Sequence, residues 1–320
     1  MAYKILKILV RIALHWYIGS KRKINLSKAA YSSPSLVIAN HPNSFFDALL
    51  IEVYSRETLY FLVRGDIFKH PLANKVLRSL HMLPIYKKND VDDFVAANEV
   101  TFNECVDLLQ SGRHVLIFPE GRSYNDWQLH PFRKGGMNKI LEKAAEENIF
   151  PRIQPFIISY SSYKEVPKGI TLQAYDPVKT ESYFEEGNLK MIALMNDLYT
   201  GLKDEIKQPH QQQRYHSNFL LKALLFLPAV SGYISQYWYY KLWEKWVRKK
   251  TAGSIFFDSV MFGVLFVTYP FFVLFLSIIV GVFAGCGWGI VLLCLMPFTA
   301  LCMAKTAKIK KANSHTNASL

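Results

Sequence analysis

The sequence predicts an α/β fold: a mainly parallel, mixed sheet flanked by helices, with an amphipathic helix before it and a two-helix transmembrane hairpin after it. Three observations carry this expectation. From about residue 30 to 205, short apolar runs alternate with longer stretches of helical periodicity, the pattern of strands joined by crossover helices. Residues 259–304 contain no Lys, Arg, Asp or Glu, so they are unsuited to water. The chain nets +13, which calls for an anionic partner, and the uncharged stretch makes that partner a lipid surface rather than nucleic acid.

The elements follow in order. Residues 1–20 read as an amphipathic membrane-interface helix. Lys4, Lys7, Arg11 and His15 recur at helical spacing as one polar stripe amid Ile, Leu, Ala and Trp, and such a stripe can lie against lipid phosphates. The alternative is a helix packed on the domain behind it. Basic residues recur inside this apolar run and no small-residue cleavage site follows, unlike a signal peptide. The segment 21–207 reads as the catalytic domain. Its expected strands are 35–39, 59–63, 82–85, 114–118, 154–160 and 170–174. Its expected helices are 44–54, 71–80, 91–110, 135–147 and 189–207. Sites in such sheets sit at the carboxyl ends of strands.

A polar linker at 208–216 leads into an interfacial helix ending near 250, where Tyr237, Trp238, Tyr239, Tyr240, Trp243 and Trp246 crowd before Arg248, Lys249 and Lys250. Aromatic residues beside a basic cluster mark a membrane–water boundary. Residues 251–311 read as the hairpin, with Gly281, Gly285, Gly287 and Gly289 breaking it into two spans. The first, 259–280, is long enough at ~1.5 Å per residue to cross a ~30 Å hydrocarbon core. Lys and Arg flank both ends and none occur in the loop, which places both ends and the domain in the cytoplasm. The tail, 312–320, reads as disordered. Cys105, Cys286, Cys294 and Cys302 show neither zinc-ligand spacing nor a disulfide framework.

Two short motifs carry the chemistry, and both follow directly on expected strands. The first is Asn40-His41-Pro42-Asn43-Ser44-Phe45-Phe46-Asp47. Pro42 disfavours helix before it, so His41 sits in a strand-to-helix loop. Ser44 is a natural N-cap, and Asp47 falls in the first turn. Asp47 can orient the imidazole as a base for a hydroxyl, or it can merely complete a capping box. The second is Phe118-Pro119-Glu120-Gly121-Arg122-Ser123. The planar fork of Arg122 suits a phosphate, and Gly121 permits close approach of a ligand. The alternative is an Arg–Glu pair on a surface turn, which leaves Phe118-Pro119 and the later Arg133-Lys134-Gly135 without a role.

Taken together, these residues resemble the glycerolipid acyltransferase family: the PlsC-like 1-acylglycerol-3-phosphate acyltransferases and their glycerol-3-phosphate acyltransferase relatives. The resemblance covers roughly residues 30–200 and rests on several blocks in order. Asn40-His41 with Asp47 resembles the first block, and residues 82–88 resemble the second, where Lys87 or Lys88 would match a phosphate-holding base. Residues 118–123 match the third, and 153–157 resemble the fourth. The resemblance implies His41 and Asp47 as base and orienter. It also implies a substrate site from Glu120, Gly121, Arg122, Lys87 or Lys88, and Arg133. The donor would be acyl-CoA or acyl-carrier protein, the acceptor lysophosphatidic acid or glycerol 3-phosphate, with no metal and no further cofactor. Backbone amides near 119–121 would be candidates for an oxyanion hole. One departure stands out: five residues separate His41 from Asp47 where the family pattern has four. The longer spacer resembles a branch acting on glycerol 3-phosphate or dihydroxyacetone phosphate, and it leaves the acceptor open. Rival readings are a metal-dependent phosphoesterase with His41 and Asp47 as ligands, and an inactive lipid-binding membrane protein.

Overall fold

The computed structural model describes residues 2–29, 34–207 and 219–307. Five strands run parallel: β2 (Ser35–Ala39), β3 (Leu59–Arg64), β4 (Met82–Ile85), β5 (His114–Ile117) and β6 (Arg152–Tyr160). β7 (Lys168–Ala174) lies antiparallel to β6, and β1 (Ile18–Asn25) runs parallel to β7. The sheet order is β1-β7-β6-β2-β5-β3-β4. β2 is buried along its whole length, as a central parallel strand covered on both faces must be. β4 lies at the edge, where Pro84 is tolerated because one side of the strand needs no donor. The carboxyl ends of β2, β5, β3 and β4 therefore open onto one rim.

The domain helices are α1 (Ala2–Tyr17), α2 (Phe45–Tyr54), α3 (Pro71–Ser79), α4 (Phe94–Gln110), α5 (Gly135–Glu146) and α6 (Met191–Leu202). A two-residue hairpin, β8 (Phe184–Glu185) with β9 (Asn188–Leu189), precedes α6. Two helix ends differ from the sequence expectation for identifiable reasons. α4 starts at 94 rather than 91 because the Asp93 side chain caps it, accepting the Ala96 N–H at 2.9 Å. α6 stops at 202 rather than 207 because the chain beyond is drawn onto the sheet: the Lys207 N–H donates to Ser159 Oγ at 3.0 Å.

The N-terminal region departs further. The basic run after α1 is part of β1, pairing Ile24 with Leu172 along the edge of β7. α1 itself packs on the domain through Val10, Leu14 and Tyr17. Its stripe is turned partly inward: Lys7 Nζ donates to Glu52 Oε1 at 2.9 Å and to the Glu57 carbonyl at 3.1 Å, while the Arg11 guanidinium lies over the Tyr54 ring. Glu52 is buried on α2, and a buried carboxylate demands a cation. Ile5, Ile8, Leu9 and Ile12 are consequently exposed.

The C-terminal part holds α7 (Phe219–Lys250), α8 (Phe257–Ala284) and α9 (Cys286–Thr306). α8 and α9 are long and apolar enough to cross a membrane. Of the four glycines expected to break the hairpin, only Gly285 does so, at φ 102°. Gly281 and Gly289 lie inside the helices and let them touch: a Cβ on Gly289 would sit 2.7 Å from the Ser277 carbonyl oxygen and 3.0 Å from Gly281 Cα. Gly232 of α7 does the same against Thr299. The base of α8 is built into the domain core, with the Phe262 ring 5.3 Å from Tyr17 and 5.8 Å from Phe46. The expected linker at 208–216 and tail at 312–320 lie outside the described residues.

Candidate active site

β2 ends at Ala39, and the loop 40–44 turns the chain into α2. Asn40 anchors the start of this loop like a backbone segment: its Nδ2 donates to the Ile158 carbonyl at 2.9 Å, and its Oδ1 accepts the Ile158 N–H at 2.8 Å. Ser44 closes the loop at φ 55° and ψ −141°, with no side-chain cap hydrogen bond. A non-glycine residue held there costs about 1–3 kcal/mol. The five residues between His41 and Asp47 are taken up by this turn and the start of α2, and Asp47 lies in the first turn of α2.

Asp47 is fully buried. Its Oδ2 lies 3.0 Å from His41 Nδ1 and accepts the Asn43 N–H at 2.7 Å. Its Oδ1 accepts the Tyr160 hydroxyl at 2.7 Å. Burial pushes the Asp47 carboxyl above its ordinary range, and hydrogen bonds from His41, Tyr160 and the Asn43 amide pull it back. The expected capping box does not form, because Ser44 makes no side-chain cap hydrogen bond and Asp47 accepts the N–H of Asn43; this one carboxylate holds both the loop backbone and the imidazole. The His41 ring stacks on Phe118 at 3.8 Å and 11°. With Nδ1 facing Asp47, Nε2 is the nitrogen left for a reacting proton.

The second motif follows β5 and supports the first. Glu120 is buried, and its Oε1 accepts the His41 N–H at 3.0 Å. Burial pushes this carboxyl up to about 8, Asp47 and Asp126 add to the shift, and the N–H groups of His41 and His130 oppose it. The loops are joined again by the Tyr124 N–H, which donates to the His41 carbonyl at 3.0 Å. Arg122 is exposed, its guanidinium 4.5 Å from the Tyr124 ring centre. Glu120 is engaged with His41 and Arg122 with Tyr124, so the surface Arg–Glu pair is not what this turn forms. Gly121, at φ 74°, is covered by the Arg133 side chain, whose Cδ would lie 2.7 Å from an added Cβ. The Gly121 N–H donates to the Phe118 carbonyl at 3.0 Å and the Arg133 N–H to the Pro119 carbonyl at 2.7 Å, so the turn itself uses the Gly121 amide considered for an oxyanion hole.

Lys87 and Lys88 are exposed just beyond β4. They share the rim with His41, but β5 and β3 intervene between β2 and β4, roughly 14 Å of sheet at ~4.8 Å per strand. Sequence reasoning missed Tyr160, Asn43 and the pair Lys168–Asp258, which adjoins Asn43. Tyr160 carries no local signal, being one aromatic residue at the end of a buried strand. Asp258 does carry one: it is the last charge before the uncharged run.

A buried carboxylate thus holds an imidazole at the rim of a mixed sheet in an α/β domain. Residues 21–159 match the family model described as Acyltransferase. A 1-acyl-sn-glycerol-3-phosphate acyltransferase from Cocos nucifera is 23% identical over 203 residues, covering 61% of this chain and 62% of that protein. The crystal structure of PlsC, the 1-acyl-sn-glycerophosphate (LPA) acyltransferase from Thermotoga maritima, shares the fold with a TM-score of 0.50 at 18% identity, covering 67% of this chain and 81% of that one. Over residues 21–159 this chain is therefore similar to the family described as Acyltransferase. The chain spans less than two thirds of the Cocos nucifera protein's length.

Proposed function

We propose that this chain is a membrane-bound O-acyltransferase. It moves a fatty acyl group from acyl-CoA or acyl-carrier protein to a hydroxyl of lysophosphatidic acid or glycerol 3-phosphate. The observation that carries the reading is the His41–Asp47 pair, 3.0 Å apart and held on a buried carboxylate. Nε2 takes the proton of the acceptor hydroxyl as its oxygen attacks the thioester carbonyl. The C–S bond then breaks, and the departing thiolate takes that proton from the imidazolium, leaving ester and thiol. Stacking on Phe118 and the Asp47 hydrogen bond hold the ring in one orientation throughout. Arg122 and Arg133, exposed on the neighbouring loop, supply cations for the acceptor phosphate, with Lys87 or Lys88 approaching from β4. Both Asp47 oxygens already receive protein donors, which favours an orienter over a metal ligand and so the transferase over the phosphoesterase.

The apolar α8–α9 hairpin and the exposed apolar residues of α1 support an integral membrane location. The charge distribution at the hairpin ends favours a cytoplasmic domain. The test is a mass-spectrometric assay of the purified chain with an acyl thioester and a panel of phosphorylated acceptors. His41→Ala should lower turnover by about 10²–10⁴-fold with the fold intact. Arg122→Ala should raise the acceptor KM and leave the thioester KM unchanged. Full turnover in folded His41→Ala would overturn the mechanism.

A further inference from the structure

Asp258, like Asp47, is a carboxylate fully buried beside the catalytic loop, and the reaction as described makes no use of it. It lies in the first turn of α8, where an acidic residue commonly complements the helix dipole. Its surroundings go well beyond that role. Oδ1 accepts the Tyr17 hydroxyl from the end of α1 at 2.6 Å. Oδ2 accepts Asn43 Nδ2 at 2.6 Å and pairs with Lys168 Nζ of β7. The Lys168 side chain is fully buried as well, and it also donates to the Ser162 carbonyl at 2.9 Å. One carboxylate thus gathers α1, β7, the catalytic loop and the foot of the apolar hairpin.

Asn43 links this cluster to the chemistry. Its side chain is held by Asp258 while its backbone N–H holds Asp47, which holds His41. A second contact runs parallel to the first: the Lys168 ammonium lies 5.9 Å from the centre of the Tyr160 ring, and the Tyr160 hydroxyl donates to the other Asp47 oxygen. Loop 40–44 contains a strained residue, Ser44, and a strained loop keeps its shape only where its surroundings over-determine it.

We propose that Asp258 is a positioning residue for acyl transfer. Through Asn43 it fixes the loop that carries His41, and it thereby makes the seating of the α8–α9 hairpin a condition for a competent base. On this account the hairpin is a structural part of the active site as well as an anchor. The inference rests on His41 being the base.

The experiment uses the full chain in detergent micelles, with kcat and both KM values measured for Asn43→Ala, Asp258→Asn and the double variant. Asn43→Ala removes only the link and leaves Asp258 paired with Lys168 and Tyr17, so the fold should survive, as a melting curve will show. Its kcat should fall by about 10-fold to 10²-fold, the range expected for an ångström-scale misplacement of a catalytic group, with both KM values unchanged. Asp258→Asn should do likewise, and the double variant should lose no more than the worse single variant, because the link that Asn43→Ala removes is among those that Asp258→Asn breaks. Wild-type kcat in folded Asn43→Ala, or losses that multiply in the double variant, would overturn the proposal. If Asp258→Asn fails to fold, Asn43→Ala alone decides. His41→Ala measured in parallel separates the two ideas: if it is active, the acyl-transfer reading itself fails. If it is inactive beside a fully active Asn43→Ala, only the positioning role is lost.

Discussion

Glu120 shows how one residue can sit in a recognisable motif and still act inward. It accepts the His41 N–H from a buried position, and burial raises its carboxyl to about 8. The consequence for stability has a definite sign. Between its ordinary value of 4.5 and about 8, the folded chain binds a proton that the unfolded chain has released, so this residue's contribution is lost as pH rises through that window. Glu120→Gln should flatten the fall in melting temperature across that range. An unchanged slope would show that another group causes it. The same residue marks a limit of sequence reading. Glu120, Gly121 and Arg122 stand out as a group, but nothing in the motif says that Glu120 turns toward His41 while Arg122 stays at the surface.

At the scale of elements, the strands and helices follow the apolar patterning closely. The departures arise where one element needs another. β1 is the main case, because a basic run becomes a strand only when β7 presents an open edge. The hairpin glycines are a second case. They read as breaks, yet Gly281 and Gly289 let two helices come into backbone contact. Gly289→Leu should therefore force the pair apart and cost about 1–3 kcal/mol, read as a lower melting temperature in detergent. Gly263, on the same hairpin with open space around it, provides the control, and Gly263→Leu should melt close to the parent. Equal melting of the two variants would remove the close-packing account.

At the scale of the whole molecule, the apolar hairpin and the catalytic domain share one core. Phe257, Met261 and Phe262 of α8 are buried with α1, α2 and the sheet, and each such side chain contributes about 1.5–3 kcal/mol. The proposed topology places the turn at Gly285 on the far side of the membrane from the domain. Cys286 is exposed at that turn, which gives a direct measurement. In sealed vesicles of known orientation, a membrane-impermeant maleimide should label Cys286 only from the face opposite the domain. Labelling from the domain's own face, or from neither, would count against a spanning hairpin.

Local patterning determined the α/β class, the order of strands and helices from β2 to β7, the apolar hairpin and the two motifs, because periodicity and turn chemistry depend on near neighbours in the chain. Only the tertiary structure decided which groups complete the site. Tyr160 reaches Asp47 from 113 residues away, and Asp258 reaches Asn43 from 215. Those contacts depend on strand order and on where the hairpin meets the sheet, and no local pattern encodes either. A buried carboxylate must find its donors wherever the fold brings them, and here the fold brings them from opposite ends of the chain.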